Sequence, residues 1–206
     1  YAELDEYLGE ITALREAYRD SLTITRGFEG EYVREDRAYY EKLLSREDCD
    51  YLLLGQHFYE KENGELINVY QLPDTRDYEI YAANIVEAMR TGYFRYAAHP
   101  DLIFLNDLPW DAHCERACDI IVEGAAKYGF ALEYNANGFR RGKKQFSEGE
   151  RYQYPLDRFW EKVREAGLSV YVGSDCHDPE QVYDGIVEMA CGKLEELGIA
   201  VRTDWI

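Results

Sequence analysis

The sequence predicts an α/β fold in which strands and helices alternate as parallel βα units within one domain. Three observations carry this reading. Short β-branched or continuously apolar runs alternate with stretches of helical periodicity. No Pro/Gly/Ser-rich linker and no low-complexity tract interrupts them. The 206 residues, 46% of them hydrophobic, suffice for one substantial core.

Leu4, Tyr7, Leu8, Ile11, Leu14 and Tyr18 recur at helical spacing and predict a helix over 2–19. The alternating stretch 22–28 predicts a strand that stops at Glu29. A short helix follows over 37–44. Tyr51-Leu52-Leu53-Leu54 has buried-strand character and ends at Gly55-Gln56-His57. Residues 60–74 hold Asn63-Gly64 and Pro73 and read as a hairpin or loop. A helix over 78–90 stops at Gly92, and a strand over 94–98 ends at His99-Pro100-Asp101. A helix over 111–128 is ended by Gly129, and a strand over 130–134 ends at Asn135. A polar, partly basic loop runs to Tyr154. Then come a helix over 156–166, a strand over 168–172 ending at Gly173-Ser174-Asp175-Cys176-His177, a helix over 179–197 and a last strand over 198–202. About six strands, against the eight of a full (β/α) barrel, predict an open sheet or a barrel without its first strands.

The formal charge of −18 disfavours partnership with nucleic acid or an anionic membrane. An anionic substrate would need positive charge from metal or from local cations. Five cysteines, an odd number with no Cys-x-x-Cys pair, predict a reducing, cytoplasmic setting rather than a disulfide framework. His113, Cys114 and Cys118 share helical spacing, but they sit among core-type residues and are assigned no function. No apolar run reaches membrane-span length, and nothing resembles a signal peptide. The chain opens at Tyr1 inside a helical pattern, which reads as the middle of a longer sequence.

The chemistry gathers at strand ends. Glu29, His57, His99, Glu133 with Asn135, and Asp175 with His177 all fall there. In parallel α/β folds these ends converge on one face, so residues distant in sequence share a pocket. Three of the four histidines occupy such positions. A lone histidine at a strand end is usually structural, but three with carboxylates at two further ends predict a metal site. Imidazole with carboxylate suits zinc, manganese or iron. Phe58, Tyr59 and Trp110 are candidate ring contacts for a substrate or, equally, packing residues.

Four segments, in order, resemble the histidinol-phosphatases of the PHP phosphoesterase family. They are Gly27-Phe28-Glu29-Gly30-Glu31-Tyr32, Gly55-Gln56-His57-Phe58, Ala98-His99-Pro100-Asp101 and Gly173-Ser174-Asp175-Cys176-His177-Asp178. The resemblance spans nearly the whole chain as a single domain. It implies a distorted (β/α)7 barrel with up to three divalent metals, here without its first strands. By it, Glu29 bridges two metals, His57 and His99 complete one site, Asp175 belongs to a second and His177 to a third. Glu29, Asp175 and His177 would also act in catalysis. Asn135-Ala136-Asn137-Gly138-Phe139-Arg140 resembles the family's Asn-x-x-Gly-x-Arg segment, whose arginine meets phosphate. Asn135 and Arg140 are therefore the expected substrate contacts, with Arg141 the substitute, unless the basic loop is merely solvated.

The family's His-x-His strand has no counterpart here, and no histidine precedes His57. The resemblance therefore implies an N-terminally truncated phosphomonoesterase acting on L-histidinol phosphate. The alternatives are a phosphoesterase for another small phosphoester, such as a nucleotide or phosphotyrosine, and an inactive metal-binding scaffold. Oligomeric state is not legible.

Overall fold

A computed structural model describes residues 2–204 of the chain. The first half comprises α1 (Ala2–Ala17), β1 (Gly27–Gly30), α2 (Arg37–Leu44), β2 (Tyr51–Gly55), β3 (Phe58–Glu60), β4 (Leu66–Asn68), α3 (Tyr78–Thr91) and β5 (Phe94–Ala98). The second half adds α4 (Ala112–Tyr128), β6 (Ala131–Asn135), α5 (Asn137–Arg140), β7 (Lys143–Phe146), β8 (Gly149–Tyr152), α6 (Asp157–Glu165), β9 (Tyr171–Gly173) and α7 (Gly185–Leu197).

Five strands form one parallel sheet in the order β1-β2-β5-β6-β9. Sheet order equals chain order, so each crossover repeats the same step. Right-handed crossovers then stack the helices on one face. That face carries the main core, including Leu54, Ile85, Ile121, Phe159 and Val163. The opposite face carries a small separate cluster of Tyr96, Ala98, Ala131 and Tyr171. All five carboxyl ends point the same way, and the strand-end residues converge there. Two antiparallel hairpins, β3–β4 and β7–β8, lie outside this sheet.

Among the described residues β1 and β9 are opposite edges, and the sheet does not close into a barrel. The predicted strand over 198–202 reduces to a single bridge between Val170 and Val201. The predicted strand over 22–28 begins only at Gly27. Its partner β2 starts at Tyr51, and one step earlier the Asp50 N–H donates to the Arg26 carbonyl at 2.7 Å without extending the strand. Arg26 is instead buried and pinned, its backbone N–H and guanidinium both donating to Asp50.

The helix predicted over 179–197 is interrupted. Asp178 caps a 3-10 turn at Pro179–Gln181, and Asp184 caps a fresh start by accepting from the N–H groups of Ile186 and Val187. Two capping aspartates six residues apart carried this signal, which the apolar periodicity obscured. The loop predicted between Asn135 and Tyr154 contains α5 and the β7–β8 hairpin. Elsewhere the stops behave as read: Gly92 and Gly129 take left-handed conformations that end α3 and α4.

Helices α3 and α4 pack directly on each other where Gly124 meets Val86. A Cβ at position 124 would stand 2.5 Å from Val86 Cγ2. Gly124→Leu should therefore destabilise the fold by about 1–3 kcal/mol through overpacking, read from the denaturant midpoint at constant m. An unchanged midpoint would show that the two helices can part at little cost.

Candidate metal centre

Glu29 at the end of β1, His57 after β2 and His99 after β5 come together, their ligand-type atoms all within 4.8 Å of one another. His99 is almost fully buried, and its Nε2 lies 3.1 Å from Glu29 Oε1. His57 lies between buried and exposed, its ring centroid 4.8 Å from that of His99.

Glu31, two residues beyond Glu29, holds His57 in place. Its Oε1 is 2.8 Å from His57 Nδ1, and its Oε2 accepts from the backbone N–H groups of His57 and Phe58. A carboxylate on Nδ1 fixes the tautomer and leaves the Nε2 lone pair for an ion. The local signal for Glu31 is its period-two spacing from Glu29, which puts both carboxylates on one side of the chain.

Two glycines make room for the carboxylates. A side chain at Gly55 would strike the Glu29 carboxylate, and one at Gly173 would strike that of Glu133. Each glycine ends the strand beside the acid's own, so the acid can fold across it.

Glu133 is buried below His99, whose backbone N–H donates to its Oε2 at 3.0 Å. Asn135 Nδ2 donates to Glu133 Oε2 at 2.9 Å and to Asp175 Oδ2 at 3.2 Å. Asn137 Nδ2 also donates to Asp175 Oδ2, at 3.1 Å. His99 and Asp175 both hold positive φ, 32° and 45°. Such backbone strain in non-glycine residues concentrates where geometry serves function.

The local field is strongly negative. The His99 contact lowers the Glu29 pKa below the ordinary carboxylate value, against the opposing effect of burial. Burial alone would lower the His99 pKa, but the Glu29 contact and the charges of Glu133, Glu29 and Asp175 raise it. Burial pushes Glu133 up to about 7, with His99 pulling the other way. Asp101 Oδ2 accepts from Leu156 N–H and Trp160 Nε1–H. His99 Nδ1 and Asp101 Oδ1 are the two buried side-chain polar atoms without a partner among the described residues.

The Glu133 shift has a testable sign. A carboxyl whose folded pKa exceeds its unfolded value favours the fold while protonated. That contribution is full below about pH 4.5 and is lost as pH rises through about 7. In chelator-treated protein, Glu133→Gln should therefore match the parent near pH 4 and exceed it above pH 7. A gain on the order of 3 kcal/mol is expected in denaturant melts. Equal stability at both pH values would mean that Glu133 is not held neutral in the metal-free fold.

The other expected site residues are placed differently. Asp175 is half-buried and reaches the cluster through Asn135, whereas His177 is exposed, its Nδ1 3.1 Å from the Asp175 carbonyl. Asn135 is buried and spends both amide groups internally, its Oδ1 accepting from Asn137 N–H.

Arg140 is likewise committed. Nε and Nη2 donate to the two Asp184 oxygens at 2.9 and 3.0 Å, Nη2 to Ser174 Oγ and the Gln181 carbonyl, and Nη1 to the Ser174 carbonyl. In this structure the guanidinium clasps the segment from Ser174 to Asp184. Arg141 is exposed and stands 5.7 Å from the Tyr154 ring, which neighbours His99. Tyr59 is buried with its hydroxyl on Asp77, and Trp110 lines a different cavity. His113 pairs with Glu79 on the surface.

A parallel α/β sheet with a Glu–His–His cluster at its carboxyl ends defines a candidate divalent-metal protein. The donor set fits a borderline ion, and the negative field with Gly55 clearing Glu29 suits a cation. No family model matches the chain. It is 28% identical over 186 residues to a probable histidinol-phosphatase of Deinococcus radiodurans, covering 87% of this chain and 67% of that protein. It is 26% identical to a probable histidinol-phosphatase of Schizosaccharomyces pombe, covering 88% of this chain and 62% of that protein. The chain thus spans roughly two thirds or less of these curated relatives. The crystal structure of histidinol phosphate phosphatase from Lactococcus lactis, complexed with zinc, L-histidinol and phosphate, superposes with a TM-score of 0.68 at 18% identity. The match covers 96% of this chain and 75% of that one.

Proposed function

We propose that the chain is the larger part of a metal-dependent phosphomonoesterase of the PHP type that hydrolyses L-histidinol phosphate to L-histidinol and phosphate. The observation that carries this is the Glu29–His57–His99 cluster at the strand ends of a fold shared with a histidinol phosphate phosphatase. The two curated relatives support the same substrate. On this reading the five-stranded sheet is an arc of a distorted (β/α)7 barrel within a single domain. Five free cysteines support a reducing, cytoplasmic setting.

Glu29, His57 and His99 would hold one ion, with Asp175 and His177 contributing to further sites. Bound there, a divalent ion supplies Lewis-acid polarisation of a phosphoryl oxygen and positive charge for a dianion. The chain's own residues do the positioning. Glu31 fixes the tautomer of His57, and Gly55 leaves Glu29 its place. Arg141 presents a planar fork at the mouth beside Tyr154, matched to phosphate geometry. Tyr70, exposed and stacked 6.4 Å from His57, offers a flat wall for an imidazole ring.

The test is phosphate release from L-histidinol phosphate with zinc or manganese, with His99→Ala as control. Turnover lost in the control supports the assignment. Turnover of other phosphoesters but not of histidinol phosphate, with or without an N-terminal His-x-His segment restored, would overturn it.

A further inference from the structure

A cavity of about 340 Å³ lies apart from the metal centre, between the β7–β8 hairpin and the N-terminal turns of α4 and α6. None of Glu29, Glu31, His57, His99, Glu133 or Asp175 lines it. Its charge runs against that of the molecule. Four cations, Lys143, Arg151, Arg158 and Lys193, face three acids, Glu148, Glu150 and Asp157, in a chain of net charge −18.

These cations are poorly neutralised. Among the described residues only Arg158 has a carboxylate within 4.0 Å, Glu148 at 3.9 Å. Arg151 is half-buried and lies 3.5 Å over the Phe146 ring. It donates through Nη1 to the Tyr152 and Gln153 carbonyls and through Nη2 to that of Phe104. Its Nε–H and one Nη2–H have no acceptor among the described residues. Burial lowers its pKa, against the pull of Glu148 and Asp107, as expected for a guanidinium short of counter-charge. Among the described residues Lys143 and Lys193 have no carboxylate within 4.0 Å and lie over the rings of Tyr152 and Phe139, each at 5.7 Å.

The remaining wall is aromatic. Phe104 and Trp110 stand with centroids 5.3 Å apart, and Arg158 lies 4.9 Å over Trp110. A cationic rim on an aromatic floor selects a small anion that carries a planar ring: the floor buries the ring, and Arg151 with the lysines meets the charge.

We propose that this cavity is a second binding site, independent of the metal centre, for a small ring-bearing anion. The probe is benzoate, followed by tryptophan emission, because Trp110 lines the cavity; of the other two tryptophans, Trp160 is buried in the core and Trp205 lies outside the described residues. Benzoate should change the emission saturably, with Kd below about 5 mM. Benzamide, equal in shape but neutral, should bind at least about tenfold more weakly. Trp110→Phe should remove the signal. The Lys143→Gln/Lys193→Gln double variant, which breaks no ion pair among the described residues, should weaken benzoate about tenfold even if Arg151→Gln fails to fold. His99→Ala should leave binding unchanged. Loss of binding in His99→Ala, equal affinity for benzamide, an undiminished signal in Trp110→Phe, full binding by the double variant, or no saturation would each overturn the proposal.

Discussion

Glu29→Gln should lower phosphate release from L-histidinol phosphate on the order of 10³-fold, the scale of losing a preorganised charge contact at a reacting centre. The substitution keeps size and removes one negative charge. Glu29 retains 40% side-chain exposure, so the fold should tolerate it, with the denaturant midpoint within about 0.5 kcal/mol of the parent. The first loss is to the candidate metal centre, since Glu29 is the carboxylate in the Glu29–His57–His99 cluster. The second is to His99, whose pKa is raised partly by this contact. Zinc titration with a chromogenic competitor separates these losses from a change in turnover alone. Gly55→Ala approaches the same carboxylate from behind without altering a ligand, because its Cβ would occupy the Glu29 side chain's place. It should cost about 10²-fold through displacement. Activity within threefold of the parent in both variants would remove Glu29 from the site.

What was legible in the sequence follows a physical division. The strand-end positions of Glu29, His57 and His99 could be read because they depend on local signals: a strand-like run ending at a ligand-type residue, with a glycine or proline close by. The parallel sheet then does the rest, bringing residues 29, 57 and 99 within 4.8 Å without any sequence proximity. Stops at Gly92 and Gly129 were legible for the same local reason. What was not legible depends on pairing between distant segments. Residues 22–26 alternate as a strand would, but the ladder with β2 begins only at Gly27 and Tyr51. The role of Arg140 depended on Asp184, forty-four residues away, and nothing local distinguishes a guanidinium aimed at a carboxylate from one aimed at a phosphate. Gly55 and Gly173 belonged to visible motifs. Their function as space for an acid on the neighbouring strand appears only in register.

The two adjacent arginines give the sharpest division of roles. Arg141→Ala should lower kcat/KM about 10- to 100-fold, the range for losing a hydrogen bond to a charged group, through a raised KM. Its melting temperature should not move, since the guanidinium is exposed and lies over the Tyr154 ring. Arg140→Ala should behave differently. It removes the clasp on Asp184, Ser174 and Gln181, and thereby frees the segment that carries Asp175 and His177. Asp184, held down to about 2 chiefly by the Arg140 hydrogen bond, should titrate closer to an ordinary aspartate in that variant. The melting temperature should fall, and kcat should fall about 10²-fold with little change in KM, because loosened geometry rather than a lost substrate contact is responsible. Asp184→Asn should copy Arg140→Ala in direction, since it breaks the same clasp from the other side, and it should leave the Arg141 effect intact. A raised KM at full stability in Arg140→Ala, with Arg141→Ala silent, would return the phosphate to Arg140. The salt dependence offers a separate check. An exposed arginine steering a dianion should show a KM that climbs with ionic strength, and that climb should flatten in Arg141→Ala while persisting in Arg140→Ala.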